Sequence, residues 1–391
     1  LRVRPSSGQR VPGDRRGMAR RLRGVDLPVN PPVKPMLAKA VDAMPDGELG
    51  FEPKWDGFRC IVFRDGDEIV LGSRNERPLT RYFPELLEPL AASLPDRCVV
   101  DGEIIVEIDS QLDFDALQQR IHPAESRVTT RAEKTPASFV AFDLLALDDL
   151  DLRAAPFSAR RNALEGIAGP FVEPLVRLCP ATTDRDTAAD WFERFEGAGL
   201  DGLIMKPMDA PYVPNKRTQF KLKHVRTVDC VVAGYRMHKS GDGVGSLLLG
   251  LYGEDGKLHH LGVAASFTAK RRAELLEELA PLRLDDFGEH PWSDWLEAEA
   301  HADGRMPGAP NRWSGADAAR DHSWVPLRIE RVAEGRSVQY TNGRFRGTPR
   351  FVRWRPDKTP AECTEDQIEI PDPLPVDADF AALARDRRSN S

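Results

Sequence analysis

No apolar run in the 391 residues approaches the roughly 18–20 needed to cross a bilayer, so a membrane-spanning helix is not expected. Basic residues at the N-terminus are followed by no apolar signal core, and a cytoplasmic location is the expectation. Cysteine is scarce: Cys60, Cys98, Cys179, Cys230 and Cys363 stand far apart with no CxxC pair. That argues against a structural zinc site or a disulfide framework and for buried free thiols. No internal repeat is visible. Basic residues are in deficit overall, giving a net charge of −7, which would disfavour a polyanionic partner if the charge were evenly spread.

It is not evenly spread. Residues 215–226, "NKRTQFKLKHVR", hold five Lys or Arg and no acid, and 344–358, "RFRGTPRFVRWRPDK", hold six basic residues and one Asp. Seven acids then fall between Glu362 and Asp379. Local basic stripes, rather than the global sum, set affinity for a polyanion. A solvated charged surface is the competing explanation for such runs.

At this length, with 41% hydrophobic and 30% charged residues, two domains are expected. Residues 1–26 read as a disordered basic arm, and the Pro-rich "LPVNPPVKPML" leads into the first domain, 27–226. There, strand-like runs ("FRCIVFRDG", "EIVLGSR", "RCVVDGEIIVE", "ASFVAFDLLAL", "GLIMKP") alternate with helix-like ones over 82–94, 114–121 and 187–199. The pattern predicts an α+β domain on antiparallel sheet, with the aromatics of "WFERFEGAGL" as core. From 227 to 365 the texture is strand and turn around one helix, 270–282, with a polar insertion near 283–323. Five short strands with one helix suit a small barrel of the oligonucleotide-binding (OB) kind. Residues 366–391 read as an acidic tail. His259 and His260 have no partners at metal-ligand spacing.

The stretch "FEPKWDGFRC" sets a single amine, Lys54, inside a strand-turn pattern. Bringing a lysine from about 10.4 towards 7 means disfavouring its charged form by roughly 4–5 kcal/mol, which neighbouring cations or a metal can supply. Arg59, Lys206, Lys221 and Lys223 are candidates. A lysine so tuned is a nucleophile, and on a nucleotide α-phosphate it forms a phosphoramidate. Alone, "KWDG" would read as a surface lysine beside a turn. The chain continues, in order, with "GSRNE" (72–76), "VVDGEIIV" (99–106), "FVAFDLL" (139–145), "DGLIMK" (201–206), "FKLK" (220–223) and "RFVRWRPDK" (350–358).

That ordered series over residues 27–365 closely resembles the ATP-dependent DNA ligases of the covalent nucleotidyltransferase superfamily. Within them it is most similar to the compact bacterial ligase C type, related to the ligase module of ligase D. The resemblance implies an antiparallel-sheet, ATP-grasp-like nucleotidyltransferase domain followed by an OB-fold barrel. It implies Lys54 as the adenylated nucleophile, Glu52 as acceptor for the adenine amino group, and Arg59 and Glu103 on the ribose hydroxyls. Phe142 would stack on the base, Lys221 and Lys223 would reach the α-phosphate, and Arg74 would contact the phosphate at the nick. Arg350, Arg353, Arg355, Asp357 and Lys358 resemble the set that orients the pyrophosphate leaving group. Asp201 and Glu103 are the implied metal ligands. Asp201 stands where the family has a longer glutamate, so direct coordination of Mg²⁺, at about 2.1 Å, would give way to contact through a water. Glu76 occupies a position where many members have glycine, and no role is assigned to it.

ATP as substrate, Mg²⁺ (or Mn²⁺), nicked duplex DNA and a monomeric, nucleoid-associated enzyme follow as expectations. A role in DNA repair beside a repair polymerase or end-joining factor is also implied. Two other readings are an RNA ligase or GTP-using capping enzyme, and a non-catalytic DNA-end-binding protein. A labelled adduct with ATP, GTP or NAD, and nick sealing by Lys54→Ala, discriminate among them.

Overall fold

Each strand-like run of the first domain falls in a strand of the computed structural model, and those over Phe58–Asp65 and Ala137–Leu147 are near-continuous apolar stretches buried on both faces. The structure describes residues 25–121, 124–286, 288, 290–293, 323–337, 340–341, 343–369, 371 and 374–376. The chain divides into two compact units, Leu1–Lys223 with Pro371–Ser391, and His224–Ile370.

The first unit runs β1 (Leu37–Val41), β2 (Leu49–Pro53), β3 (Phe58–Asp65), β4 (Glu68–Ser73), α1 (Leu87–Ser93), β5 (Arg97–Ile108), β6 (Gln111–Leu112), α2 (Phe114–Gln119) and α3 (Glu125–Lys134). It continues with β7 (Ala137–Leu147), β8 (Leu150–Asp151), α4 (Phe157–Ile167), β9 (Val176–Leu178), α5 (Arg185–Arg194), β10 (Leu203–Pro207) and β11 (Arg217–Leu222). A larger sheet has the order β4-β3-β5-β7-β8, with β6 on β5 and β9 on β7. A smaller sheet has the order β1-β11-β10-β2. Only the β1–β11 and β7–β9 ladders are parallel among the described residues.

Alternation decides which face each residue serves. Cys60 and Val62 of β3 pack with Phe83, Leu86 and Leu90, whereas Ile61 and Phe63 pack with Val25, Leu27 and Met36. Ile105, Val140 and Phe142 of the larger sheet share a core with Phe51, Leu203 and Met205 of the smaller one and with Trp191 and Phe195. Burial of each such side chain contributes roughly 1.5–3 kcal/mol, more than the ~1 kcal/mol span of strand propensity, so packing fixes the register. All five cysteines are buried and free.

Helix α5 is capped by Asp184, whose side chain accepts from the N–H groups of Asp186 and Thr187. It passes through a 3₁₀ turn to Gly199 at φ 83°, the left-handed stop its sequence suggests. Helix α4 escapes a periodicity reading because its inward face carries Arg160 and Arg161 as well as Phe157 and Leu164. Two segments differ from the arm-and-tail expectation. Val25 is buried, and residues 374–376 return to this unit. The Leu374 and Val376 N–H groups each donate at 2.9 Å, to the Gly197 and Ser110 carbonyls respectively, and Val376 is buried. Residues 1–24 lie outside the described residues.

The second unit holds β12 (Arg226–Met237), β13 (Val244–Tyr252), β14 (Leu258–Ala265), α6 (Ala269–Leu279), β15 (Val325–Pro326), β16 (Val332–Ser337), β17 (Tyr340–Thr341), β18 (Arg344–Phe345) and β19 (Arg350–Trp354). Its main sheet is antiparallel, ordered β14-β13-β12-β16-β19, with β15 also on β12. The long β12 pairs with β16 through Arg226–Val231 and with β13 through Val231–Met237, so one strand serves both halves of the sheet. Thr268 caps α6, whose Leu275 and Leu279 complete the core with Leu247, Leu261 and Trp292. In β19 Phe351 and Trp354 pack on that core while Arg350 and Arg353 are exposed; the register shift between Glu334 and Gly335, which skips Val352, lets residues three apart share a face. Most of the polar insertion, 294–322, lies outside the described residues.

His260 of β14 packs on Trp292 with ring centroids 5.2 Å apart. Burial, aided by Arg236, pushes its pKa down to about 3. A folded value below the unfolded 6.5 means that protons favour the unfolded chain. The stability is therefore complete above about 6.5 and is lost as pH falls towards 3, on the order of 5 kcal/mol in all. Urea denaturation at stepped pH should show this loss in the wild type and a flatter profile in His260→Gln; identical slopes would refute it.

Candidate active site

Lys54 follows directly on β2, and its backbone is locked to the turn that opens β10. Its N–H donates to the Gly202 carbonyl at 2.8 Å, and the Asp201 N–H donates back to the Lys54 carbonyl at 2.9 Å. Gly202 adopts φ 114°, and a Cβ there would stand 2.1 Å from the Leu222 carbonyl oxygen. Only glycine permits this approach of β10 to β11. The result is that the Asp201 carboxylate lies 2.6 Å from Lys54 Nζ and also pairs with Lys223.

Register across the smaller sheet does the rest. Glu52 of β2 is opposite Ile204 of β10, which is opposite Lys221 of β11, so these three side chains share a face. On the larger sheet Arg59 and Glu103 are opposite each other. The two faces border one cavity lined by Glu52, Lys54, Arg59, Arg74, Glu103, Phe142, Lys206 and Lys221, together with Met36, Ile204 and Gln219. Seven of the residues anticipated from sequence thus converge; Asp201 joins through its pairing with Lys54, and Lys223 through its pairing with Asp201.

Charges in the cavity are strongly coupled. Burial pushes the Glu103 carboxyl up to about 7 even though Arg59 and Lys54 oppose the rise. Lys221 is shifted down, by burial first and then by Lys223 and Lys54. Two of the cations considered as tuners of Lys54 are otherwise engaged. Lys206 donates to Glu52 at 2.7 and 2.9 Å and to the Phe142 carbonyl at 3.0 Å, all buried. Arg59 forms a two-pronged pair with Asp101, both bonds 2.6 Å, and lies 4.3 Å over the Phe142 ring. Burial would lower the Arg59 pKa, and the Asp101 carboxylate more than reverses this. Burial raises the Glu52 carboxyl, against the pull of Lys206 and Arg161.

Tyr212, which the sequence reading did not single out, completes this network. Its hydroxyl donates to Asp101 at 2.5 Å and accepts from the Met36 N–H at 3.0 Å, tying a loop between β10 and β11 to the cavity lip. Burial, with the Asp101 charge, raises its pKa and keeps the proton on the donor. The only sequence signal was an aromatic with a polar tip in a Pro-flanked loop. Tyr212→Phe leaves a buried N–H and a carboxylate each short of a partner, and should cost about 1–3 kcal/mol in a denaturation experiment. An unchanged midpoint would remove Tyr212 from the network. Glu76 sits at φ 60°, the left-handed region in which glycine is at ease.

The basic residues of β19 and the following turn lie in the second unit. Arg353 pairs with Glu334 at 2.7 Å. Arg355 pairs with Asp357 and Asp229, and Lys358 with Asp229. Hydrogen bonds from Arg355 hold the Asp357 carboxyl down to about 2. His259 pairs with Asp255 and Glu365.

For a metal, the described residues contain no cluster of three or more His, Cys, Asp or Glu side chains. Asp201 and Glu103 flank Lys54, and two carboxylates completed by phosphate oxygens are a normal Mg²⁺ donor set. The residues therefore fit Mg²⁺ in the presence of a nucleotide, with the metal competing against Lys54 and Lys223 for Asp201.

Residues 32–223 match the ATP dependent DNA ligase domain family. The chain is 56% identical over 351 residues to DNA ligase C of Mycobacterium tuberculosis, covering 89% of this chain and 96% of that protein. The identity is the same to DNA ligase C2 of Mycolicibacterium smegmatis, over 89% and 97%. A solved structure from the Lig E DNA ligases shares the fold at a TM-score of 0.52 and 17% identity, spanning 82% of this chain and 99% of that one.

Proposed function

Because the chain belongs to the ATP-dependent DNA ligase family, we propose that Lys54 carries the AMP that this enzyme moves from ATP to a broken DNA strand. The observation that carries the assignment is the placement of Lys54 against Asp201, with Lys221 and Lys223 beside it, in the cavity that also contains Glu52, Arg59, Glu103 and Phe142.

Lys54 Nζ attacks the α-phosphorus of ATP, and the bond to pyrophosphate breaks. The nitrogen gives up a proton, which Asp201 at 2.6 Å is placed to receive. AMP then passes to a 5′-phosphate, and the 3′-hydroxyl displaces it to form the phosphodiester. Charge accumulates on phosphate oxygens in each step, and preformed cations offset it without reorganisation. Lys221 and Lys223 serve the α-phosphate in this scheme. Glu52, paired with Lys206 and facing Arg161, accepts from the adenine amino group, and Phe142 stacks on the base. Arg59 and Glu103 take the ribose hydroxyls, and Arg74 takes the phosphate at the nick. Arg350, Arg353, Arg355, Asp357 and Lys358 act on the pyrophosphate. Mg²⁺ or Mn²⁺, held by Asp201 and Glu103, supplies further charge neutralisation when bound.

The second unit, with its β14-β13-β12-β16-β19 sheet and, among the described residues, one α-helix, reads as an OB-type barrel that binds duplex DNA. Among the described residues no helix is long and apolar enough to cross a membrane. The cellular setting proposed is a monomer acting in DNA repair in the cytoplasm, at the nucleoid and beside a polymerase or end-joining factor. Incubation with labelled ATP, GTP or NAD, followed by peptide mapping, tests the reading. An adenylyl group on Lys54 from ATP alone is expected, and a guanylyl adduct would redirect the enzyme to capping chemistry.

A further inference from the structure

Two cations assigned above to the pyrophosphate, on Arg355 and Lys358, converge on one carboxylate oxygen of the same unit. Arg355 Nη1 lies 2.7 Å and Lys358 Nζ 2.8 Å from Asp229 Oδ2. Asp357 takes a second edge of the guanidinium, at 2.9 Å from Nε and 2.7 Å from Nη2, so these bonds use three of its five N–H donors and leave one on each of Nη1 and Nη2 for an anion.

Asp229 is itself fixed. It lies in the middle of β12, opposite Glu334, and is buried. Its N–H donates to Gln367 Oε1 at 2.8 Å, and its carbonyl accepts from Gln367 Nε2 at 3.1 Å. A strand-borne carboxylate clamped at the backbone is a rigid anchor, while Lys and Arg side chains on a turn are long and mobile. Two like charges also repel unless an anion lies between them. The Lys358 ammonium is raised above its usual range chiefly by its bond to Asp229.

We propose that Asp229 is a positioning residue for the first chemical step, holding the Arg355 guanidinium and the Lys358 ammonium as a matched pair of donors for a diphosphate leaving group. The inference rests on the roles given to Arg355 and Lys358 above. Burying a carboxylate is unfavourable unless it is paired, and here the pairing fixes the two donors at the same time. Pyrophosphate leaves only during enzyme adenylation; the later steps transfer and release AMP. Asp229 should therefore matter for one step and not for sealing.

The test uses the full chain under single-turnover conditions, with two readouts: formation of enzyme-AMP from ATP, and sealing of a pre-adenylated nicked duplex. Asp229→Asn should slow adenylation roughly 10- to 100-fold, as misplaced supporting groups do, and change sealing by less than about twofold. Asp229→Glu, which keeps the charge, should recover most of the adenylation rate. Arg355→Ala and Lys358→Ala are measured alongside. If these two leave adenylation unchanged, the roles of Arg355 and Lys358 fall, and the inference with them. If they slow it while Asp229→Asn does not, or if Asp229→Asn slows both readouts equally, Asp229 is structural and the inference alone is overturned.

Discussion

Lys54→Ala is expected to yield no covalent adenylyl adduct and to reduce ATP-driven nick sealing by more than about a thousandfold, the scale on which removal of a covalent nucleophile acts. Neighbouring amines do not replace it. Lys223 shares the Asp201 carboxylate with Lys54 but sits beyond the end of β11, and Lys221 projects from that strand beside Ile204. Lys54→Arg separates charge from nucleophilicity, since a guanidinium keeps the ion pair with Asp201 and does not attack phosphorus. Both variants should fail at adenylation, and both should seal a pre-adenylated nick far better than they use ATP. Intact-mass measurement after exposure to ATP reads the adduct directly. An adenylyl group found on Lys54→Ala, or unimpaired sealing with ATP, would overturn the assignment of the nucleophile.

The second large effect concerns stability. Arg160 and Asp143, both almost fully buried, form a two-pronged pair at 2.7 and 3.0 Å, and Arg160 Nη1 also donates to the carbonyls of Ala155 and Ala210 at 2.6 and 3.0 Å. This one guanidinium joins α4, β7 and the chain segments before α4 and after β10. Asp143→Ala strands a buried charge, which costs about 3–5 kcal/mol. For a unit of this size that corresponds to a fall in melting temperature of roughly 6–20 °C. Asp143→Leu combined with Arg160→Met removes both charges at similar volume and should recover much of the loss. A single variant that melts with the wild type would show that the pair is not buried in solution.

The runs that form β3, β4, β5, β7 and β10 were legible as short apolar stretches rich in β-branched and aromatic residues, whereas short strands such as β6, β8 and β9 carry too few residues to show a pattern. Helix α5 was legible because its cap, its apolar stripe and its terminal glycine agree. Helix α4 was hidden by the two arginines on its inward face, whose partners Asp143 and Glu52 come from elsewhere in the chain. The docking of Leu374 and Val376 was hidden for a related reason. A few apolar residues in an acidic stretch carry no periodicity, and their destination beside Gly197 and Ser110 is a property of the folded surface.

By itself, the sequence determined the chemistry available to this protein: a lone lysine in a strand-turn pattern, the ordered motifs that follow it, and basic stripes in a chain of net negative charge. The tertiary structure alone decided which charge meets which. Lys206 lies against Glu52, Asp201 lies between Lys54 and Lys223, and Tyr212 closes on Asp101. The physical reason is that side-chain direction along a strand is local, with a period of two, whereas the partner depends on how segments distant in the chain are brought into register, as with Lys206 and Glu52, 154 residues apart, and Tyr212 and Asp101, 111 apart.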